Sequence, residues 1–323
     1  MITGAINGHS GYATHARDLI KELSQYIDVE SKGFHIQVGL PNMFESWKSP
    51  FKLAFVQYEA THIPSTWVKR LNEADLIIPG SEFAKQVFID SGVTTEIKVV
   101  EWPLNKECWN DYGTLYVSPY QKEAFTFLSF GTMIPRKNYQ DLIMAYSHEF
   151  QEELIDIEGN VPENPTLLMI KSDSLQEVMR IKQGLSVERS PLIAFCYSHL
   201  SLRQLNGLYK GSDCLVQCSH GESVGGPVLE AQAQGTPVVY TNWSGVTEYA
   251  YQGTPVDICG LEPVFGMDHI GPYENCEWAR LDIQSLMKAM RKEYNEKRRI
   301  VWERPNYNTV KELATILREH SEK

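Results

Sequence analysis

The 323-residue sequence contains no run of the roughly 18 to 20 consecutive apolar residues that a membrane-spanning helix needs. Residues 1–8 also lack the charged and then apolar pattern of a secretion signal, so we expect a cytoplasmic protein without an integral membrane segment. Basic residues are outnumbered, with 30 Lys and Arg against 41 Asp and Glu and a net charge of −11. Because a nucleic-acid backbone is bound through an excess of positive charge, this balance argues against nucleic acid as a partner.

Cysteine is scarce, and the six cysteines are too few and too scattered for a disulfide scaffold. Cys214 and Cys218 lie close to His220, but three residues separate the two cysteines and no second pair of metal ligands follows them. We interpret both as buried thiols of an apolar strand, and we expect no metal site.

Two glycine signatures of nucleotide binding are missing. Gly4, Gly8 and Gly11 do not have the G-x-G-x-x-G spacing that brings a backbone against a pyrophosphate. No G-x-x-x-x-G-K-[ST] occurs either. The first absence argues against a nicotinamide- or flavin-dependent oxidoreductase, and the second excludes a P-loop.

Short apolar segments alternate with helical patterns along most of the chain, which predicts an α/β protein with parallel sheets covered on both faces. The predicted strands are residues 2–6, 52–58, 74–79, 98–102, 126–130, 166–171, 192–197, 214–218 and 237–240. The pattern breaks at 107–121, which has no apolar periodicity. A chain of this length accommodates two domains, which we place at residues 1–118 and 119–300. A C-terminal helix within residues 301–323 is expected to pack back on the first domain.

The most informative segment begins at Glu222 and reaches Glu230 after seven residues. Between them, Gly225 and Gly226 precede Pro227, a residue that suits the first position of a helix. The backbone N–H groups of both glycines are therefore expected at a helix N-terminus, where partial positive charge favours a phosphate or an electron-rich sugar oxygen. Ionised carboxylates accept strong hydrogen bonds from paired hydroxyls, so we assign the two glutamates to hydroxyl recognition.

This segment resembles the hallmark of the family 4 glycosyltransferases, retaining enzymes of the GT-B fold in which two Rossmann-like domains with parallel sheets face each other. Their motif of Glu, seven residues and Glu contains a glycine-rich loop and precedes a Gly-Thr-Pro-Val-Val-like strand, as residues 222–239 do here. The resemblance extends to residues 58–83, 242–248 and 278–282. It implies transfer of a hexose-type sugar, with retention, from a UDP- or GDP-sugar donor to a hydroxyl acceptor that the sequence does not identify.

Gly131 to Lys137 resembles the family's Gly-Arg-x-x-x-x-Lys pattern, whose basic residues hold the donor diphosphate. Thr132 stands where the arginine usually does, and Arg136 is the candidate substitute. Lys137 is predicted at the start of a helix, where a cation is disfavoured, and an anionic ligand would resolve this conflict. The resemblance therefore implies that Lys137, Arg136 and Glu222 are catalytic.

The resemblance also implies which residues meet the donor and the acceptor. Donor contacts are assigned to Gly8, Gly11, Gly225, Gly226 and Glu230, the last as a ligand of the ribose. Polar candidates on the acceptor side are His9, His15, Glu59 and His62.

No Asp-x-Asp clamp for a metal-bound diphosphate occurs, so we predict metal-independent chemistry without a cofactor. Thr132 leaves one alternative open, a catalytically degenerate sugar-nucleotide-binding or scaffold protein on the same fold.

Overall fold

A computed structural model describes residues 1–7, 11–105, 108, 110–184, 191–267, 273–303 and 308–321. The first lobe is built on a parallel sheet whose four strands pair in chain order: β1 (Ile2–Gly4), β2 (Phe34–Val38), β3 (Phe51–Phe55) and β4 (Leu76–Ile78). Its helices are α1 (Gly11–Leu23), α2 (Ser65–Leu71) and α3 (Glu82–Asp90).

The second lobe is built on six parallel strands: β5 (Phe125–Phe130), β6 (Thr166–Lys171), β7 (Ile193–Cys196), β8 (Cys214–Gln217), β9 (Val238–Thr241) and β10 (Thr254–Val256). They lie in the order β10-β9-β8-β5-β6-β7. Its helices are α4 (Tyr139–Glu149), α5 (Leu175–Gln183), α6 (Leu202–Lys210), α7 (Gly226–Ala233) and α8 (Ile283–Glu296). An antiparallel hairpin of β11 (Ile258–Pro263) and β12 (Glu277–Leu281) precedes α8.

The last helix, α9 (Thr309–Ser321), returns to the first lobe. Its residues Leu313 and Leu317 are buried in one apolar cluster with Leu19 and Leu23 of α1 and Ile36 of β2. Burial of side chains this large is worth about 1.5 to 3 kcal/mol each, so α9 contributes to the core of the first lobe although it follows the second lobe in sequence.

The predicted strand at residues 98–102 is wrong. The chain there runs beside β4 and makes an isolated bridge from Ile97 to Ile77, while the N–H of Val100 donates to the carbonyl of Pro79 at 3.0 Å. These few contacts do not build a regular ladder. The apolar residues that suggested a strand are used for burial, since Val100 is fully enclosed.

Among the described residues, no helix is long and apolar enough to cross a membrane.

Candidate functional site

The second sheet changes direction between β5 and β8. From β5 the chain proceeds outward through β6 and β7, and it then crosses back to β8 and continues to β9 on the other side. The loops that follow β5 and β8 therefore leave the sheet at a topological switch point, where open α/β sheets form their ligand crevice. Residues 131–138 and 218–226 occupy these two loops.

Four charged side chains meet at this crevice, and we call them the charge cluster: Glu59, Arg136, Lys137 and Glu222. Lys137 Nζ contacts Glu222 Oε1. Arg136 Nη1 lies 3.0 Å from Glu222 Oε2, and Arg136 Nε lies 3.2 Å from Glu59 Oε1. The side chains are only 9 to 15% exposed, so the structure brings two cations and two anions together in a neutral, nearly enclosed group.

Glu222 is held as an anion from several sides. Its Oε1 also accepts hydrogen bonds from Ser219 Oγ at 2.7 Å and from Gln217 Nε2 at 2.9 Å. Burial alone would raise the pKa of Glu222, but the positive charges of Arg136 and Lys137 lower it to about 2. The carboxylate is therefore ionised throughout the physiological range.

Lys137 is not an exposed residue on the first turn of a helix. It ends a 3₁₀ turn over Pro135–Lys137, and Asn138 caps α4, whose first turn carries Asp141. Glu222 supplies the negative charge that we expected from an anionic ligand. Gly131 has φ +152°, a backbone conformation that residues with a side chain rarely adopt, and a Cβ at this position would also come within 3.1 Å of the lysine side chain.

The glycine loop after β8 leads into α7 as predicted, and the structure gives each glycine a steric reason. Gly225 is the N-cap in a left-handed conformation, with φ +82°, and makes no side-chain cap. A Cβ on Gly226 would fall 2.3 Å from the indole of Trp102 in the first lobe. Pro227 has no N–H, and the N–H of Val228 donates to the carbonyl of Gly225 at 2.9 Å, so the N–H groups of Gly225 and Gly226 are the ones that this turn can offer to an anion.

Glu230 lies on α7 and is buried. Its Oε2 accepts a hydrogen bond from the Tyr209 hydroxyl at 2.7 Å. Burial raises the pKa of Glu230 to about 7. The hydrogen bond from Tyr209 opposes this rise, and the negative charge of Asp18 on α1 adds to it. Asp18 itself accepts from Trp102 Nε1 at 2.9 Å. The second glutamate of the motif is therefore apart from the charge cluster and faces the other lobe.

The predicted acceptor-side residues are dispersed. His15 is buried against Trp102, with parallel rings 4.6 Å apart, and burial lowers its pKa to about 3. Among the described residues, His15 Nε2 has no hydrogen-bond partner. Glu59 belongs to the charge cluster, and His62 is half-buried with its carbonyl accepting from Cys276 Sγ at 3.0 Å. Gly11 opens α1, while Gly8 and His9 lie outside the described residues.

Sequence reasoning missed several residues that organise the site. Tyr273, beyond β11, donates to Glu59 Oε1 at 2.9 Å from the opposite lobe. Gln57 Oε1 accepts from Ser223 Oγ at 2.7 Å, which joins the two lobes beside Glu222. Gln217 and Ser219 could have been found from the sequence, because Gln217 ends β8, the strand that precedes the motif, and Ser219 follows it two residues later. Tyr273 had none, since its role depends on how the hairpin folds back on the first lobe.

Among the described residues, no three His, Cys, Asp or Glu side chains are placed to hold a metal ion.

Comparison with known proteins adds a family match and a fold match. Residues 117–255 match the family model described as Glycosyl transferases group 1. No curated protein sequence matches the chain.

Solved structures resemble almost the whole chain. Trehalose-6-phosphate synthase OtsA is 11% identical, with a TM-score of 0.56 over 95% of this chain and 73% of that chain. HepE of Anabaena, in complex with UDP and glucose, is 14% identical, with a TM-score of 0.54 over 95% and 79% of the two chains. The E. coli trehalose-6-phosphate protein bound with UDP-2-fluoro glucose is 10% identical, with a TM-score of 0.58 over 95% of this chain and 74% of that chain. The predicted α/β GT-B architecture is thereby confirmed.

Proposed function

We propose that this protein is a retaining glycosyltransferase that moves a hexose-type sugar from a UDP- or GDP-sugar to a hydroxyl acceptor. One observation carries the proposal: Arg136 and Lys137 converge at the switch point of the second sheet, beside the uncapped N-terminus of α7. This is where a diphosphate would find two cations together with the backbone N–H groups of Gly225 and Gly226. The match of residues 117–255 to a glycosyl transferase family model supports it.

The charge cluster suggests how the donor would be received. Without a donor, Glu222 contacts both cations, and Glu222 and Glu59 together balance their charges. A diphosphate arriving at Arg136 and Lys137 would take over that neutralisation, and the Glu222 carboxylate would then be available to accept hydrogen bonds from sugar hydroxyls. As the glycosidic bond breaks, negative charge grows on the departing diphosphate. Preorganised cations stabilise that developing charge more than they stabilise the bound donor, and this difference accelerates the reaction.

Glu230 is proposed as the ligand of the donor's ribose. The hydroxyl of Tyr209 holds one carboxylate oxygen, Oε2, which fixes the direction in which the other oxygen can accept. The family 4 assignment and retention of configuration rest on the resemblance of residues 222–239 to that family's motif. We also propose a cytoplasmic enzyme with domains at residues 1–118 and 119–300.

Thr132 and the neutralised cluster favour a second candidate, a degenerate protein that binds a sugar nucleotide without turning it over. Thr132 stands in the place of the usual arginine, and the charge cluster is nearly closed to solvent. Release of nucleoside diphosphate from a donor would exclude this candidate, and binding without release would favour it.

A thermal-shift screen of UDP- and GDP-sugars in EDTA tests the proposal. A ligand at 100 times its dissociation constant stabilises the native state by about 2.7 kcal/mol, which we expect from at least one nucleotide sugar and not from the free hexose. Because no Asp-x-Asp clamp is present, donor turnover should also survive EDTA. Loss of turnover that manganese or magnesium restores would contradict metal independence, and the absence of any shift would contradict donor binding.

A further inference from the structure

A cavity of about 870 Å³ opens in the second lobe, next to the charge cluster. It is bounded by residues 133–135 and 138–141, by one side of α5, by the start of α8 and by the β11–β12 hairpin. Its volume falls within the roughly 300 to 1,000 Å³ of small-molecule sites. The residues assigned to the donor above, including Lys137, Glu222 and Glu230, are not among its lining residues.

The cavity and the charge cluster share a wall. Pro135 and Asn138 line the cavity, and they bracket Arg136 and Lys137 in the chain. His220 also lines it, and its backbone N–H donates to the carbonyl oxygen of Arg136 at 2.8 Å. A ligand in the cavity would therefore lie beside the backbone that positions the two cations.

The charge of the walls selects against an anionic ligand. Six carboxylate or guanidinium side chains line the cavity: Asp141, Glu177, Glu262, Asp282, Arg180 and Arg280. Four of them are carboxylates, and one of the two guanidiniums, that of Arg180, is already paired with Glu177 at 2.5 Å. A phosphate would be repelled by this excess, whereas a neutral hydroxyl can donate a hydrogen bond to a carboxylate. The cavity thus differs in kind from the donor site.

An exposed aromatic ring stands among these carboxylates. Phe265 is 51% exposed, and its ring is fixed edge-on against buried Trp278 with centroids 5.0 Å apart. Glu262, three residues earlier, lies 3.4 Å from His220 Nδ1, and His220 in turn stacks on Trp278 at 4.7 Å. A ring held against a buried indole, with a carboxylate beside it, suits a ligand with an apolar C–H face and hydroxyls at its edge.

We propose that this cavity binds a neutral carbohydrate at a site separate from the proposed donor site. Phe265 would pack against the face of the sugar ring, and Glu262 would accept hydrogen bonds from its hydroxyls. The residues proposed to hold the donor do not line the cavity, so this site is distinct from the one that the proposed function uses.

The test uses a printed array of neutral, sialylated and sulfated oligosaccharides with the full chain. We expect binding to at least one neutral oligosaccharide, and at least tenfold weaker binding by Phe265→Ala and by Glu262→Gln. Tyr116→Ala and Glu152→Gln are matched controls that change an exposed aromatic and an exposed carboxylate elsewhere, and they should bind within twofold of wild type. Melting temperatures confirm that each variant is folded.

A parallel titration of UDP-glucose and GDP-mannose separates this inference from the proposed function. Nucleotide-sugar binding without binding of any neutral oligosaccharide overturns the cavity assignment and leaves the proposed function standing. A preference for sulfated ligands, or unaltered binding by both cavity variants, also overturns the cavity assignment.

Discussion

At the scale of the single residue, Glu230 is the carboxylate whose charge changes near neutral pH. Its pKa is raised to about 7 by burial, and the groups that face it are the hydroxyl of Tyr209 on α6 and the carboxyl of Asp18 on α1. Burial raises the pKa of Asp18 as well, to about 6. Because the folded-state pKa of Glu230 lies above its ordinary value, the folded protein holds a proton that the unfolded chain releases. The contribution of Glu230 to stability therefore falls as the pH rises from about 4.5 to 7.

Donor affinity should depend on pH in the opposite direction. If ionised Glu230 accepts from the ribose hydroxyls, the donor association constant should rise about tenfold per pH unit below pH 7 and level off above it. In Glu230→Gln this dependence should be lost, and Asp18→Asn separates the contribution of the neighbouring carboxyl. Calorimetric titration of the donor from pH 5.5 to 8.5 measures both. A flat profile for the wild-type protein would show that Glu230 does not hold the donor as a carboxylate.

Sequence patterns selected residues that meet in the structure, but they did not show how these residues pair. Residues 222–239 and Lys137 were found because their spacing is local, and the structure brings Lys137, Arg136 and Glu222 into contact. The sequence did not show that Glu222 would contact Arg136 and Lys137, because this contact joins two loops that are 85 residues apart. It also could not place Glu59 in the cluster, which requires the two lobes to meet.

At the scale of the element, strands were found where apolar residues run together and missed where polar residues interrupt them. The strand β2 was not predicted because His35 and Gln37 break its apolar pattern. Both are buried and bonded: His35 Nε2 lies 2.8 Å from Thr3 Oγ1, and Gln37 Oε1 accepts from the N–H of Glu45 at 2.7 Å. A buried polar side chain is tolerated when it is hydrogen-bonded, and these partners were not visible in the sequence pattern.

The turn into α7 gives a prediction about a single glycine. Gly225 has φ +82°, and a Cβ there would also lie 2.8 Å from Val246. Gly92 is the matched control, since it has φ +95° and open space around the Cβ position. Both Ala variants should lose roughly 1 to 2 kcal/mol through left-handed strain, and Gly225→Ala should lose more because of the clash. Chemical denaturation measures the difference, and equal losses would contradict the steric account.

At the scale of the whole molecule, the two lobes are closed on each other. Glu248 of the second lobe accepts from the N–H groups of Glu82 and Phe83, at 2.8 Å each, and so covers the N-terminus of α3 in the first lobe. Gln57 and Ser223 add a second link across the crevice. Because the charge cluster is at most 15% exposed in this arrangement, we expect that the proposed donor would reach Arg136 and Lys137 when the lobes separate. Closure around a substrate is a common way to exclude water from group transfer.

Arg136 and Lys137 are proposed to act on the diphosphate of a nucleotide sugar. The rate of nucleoside diphosphate release by the wild-type protein and by Lys137→Met tests this proposal. If Lys137 stabilises the growing charge of the leaving group, kcat should fall on the order of 100-fold while KM changes less. Lys69→Met, an exposed lysine on α2, is the matched control and should keep wild-type rates, with melting curves confirming that both variants fold. A normal kcat for folded Lys137→Met, or no release by the wild-type protein from any UDP- or GDP-sugar, would contradict the account.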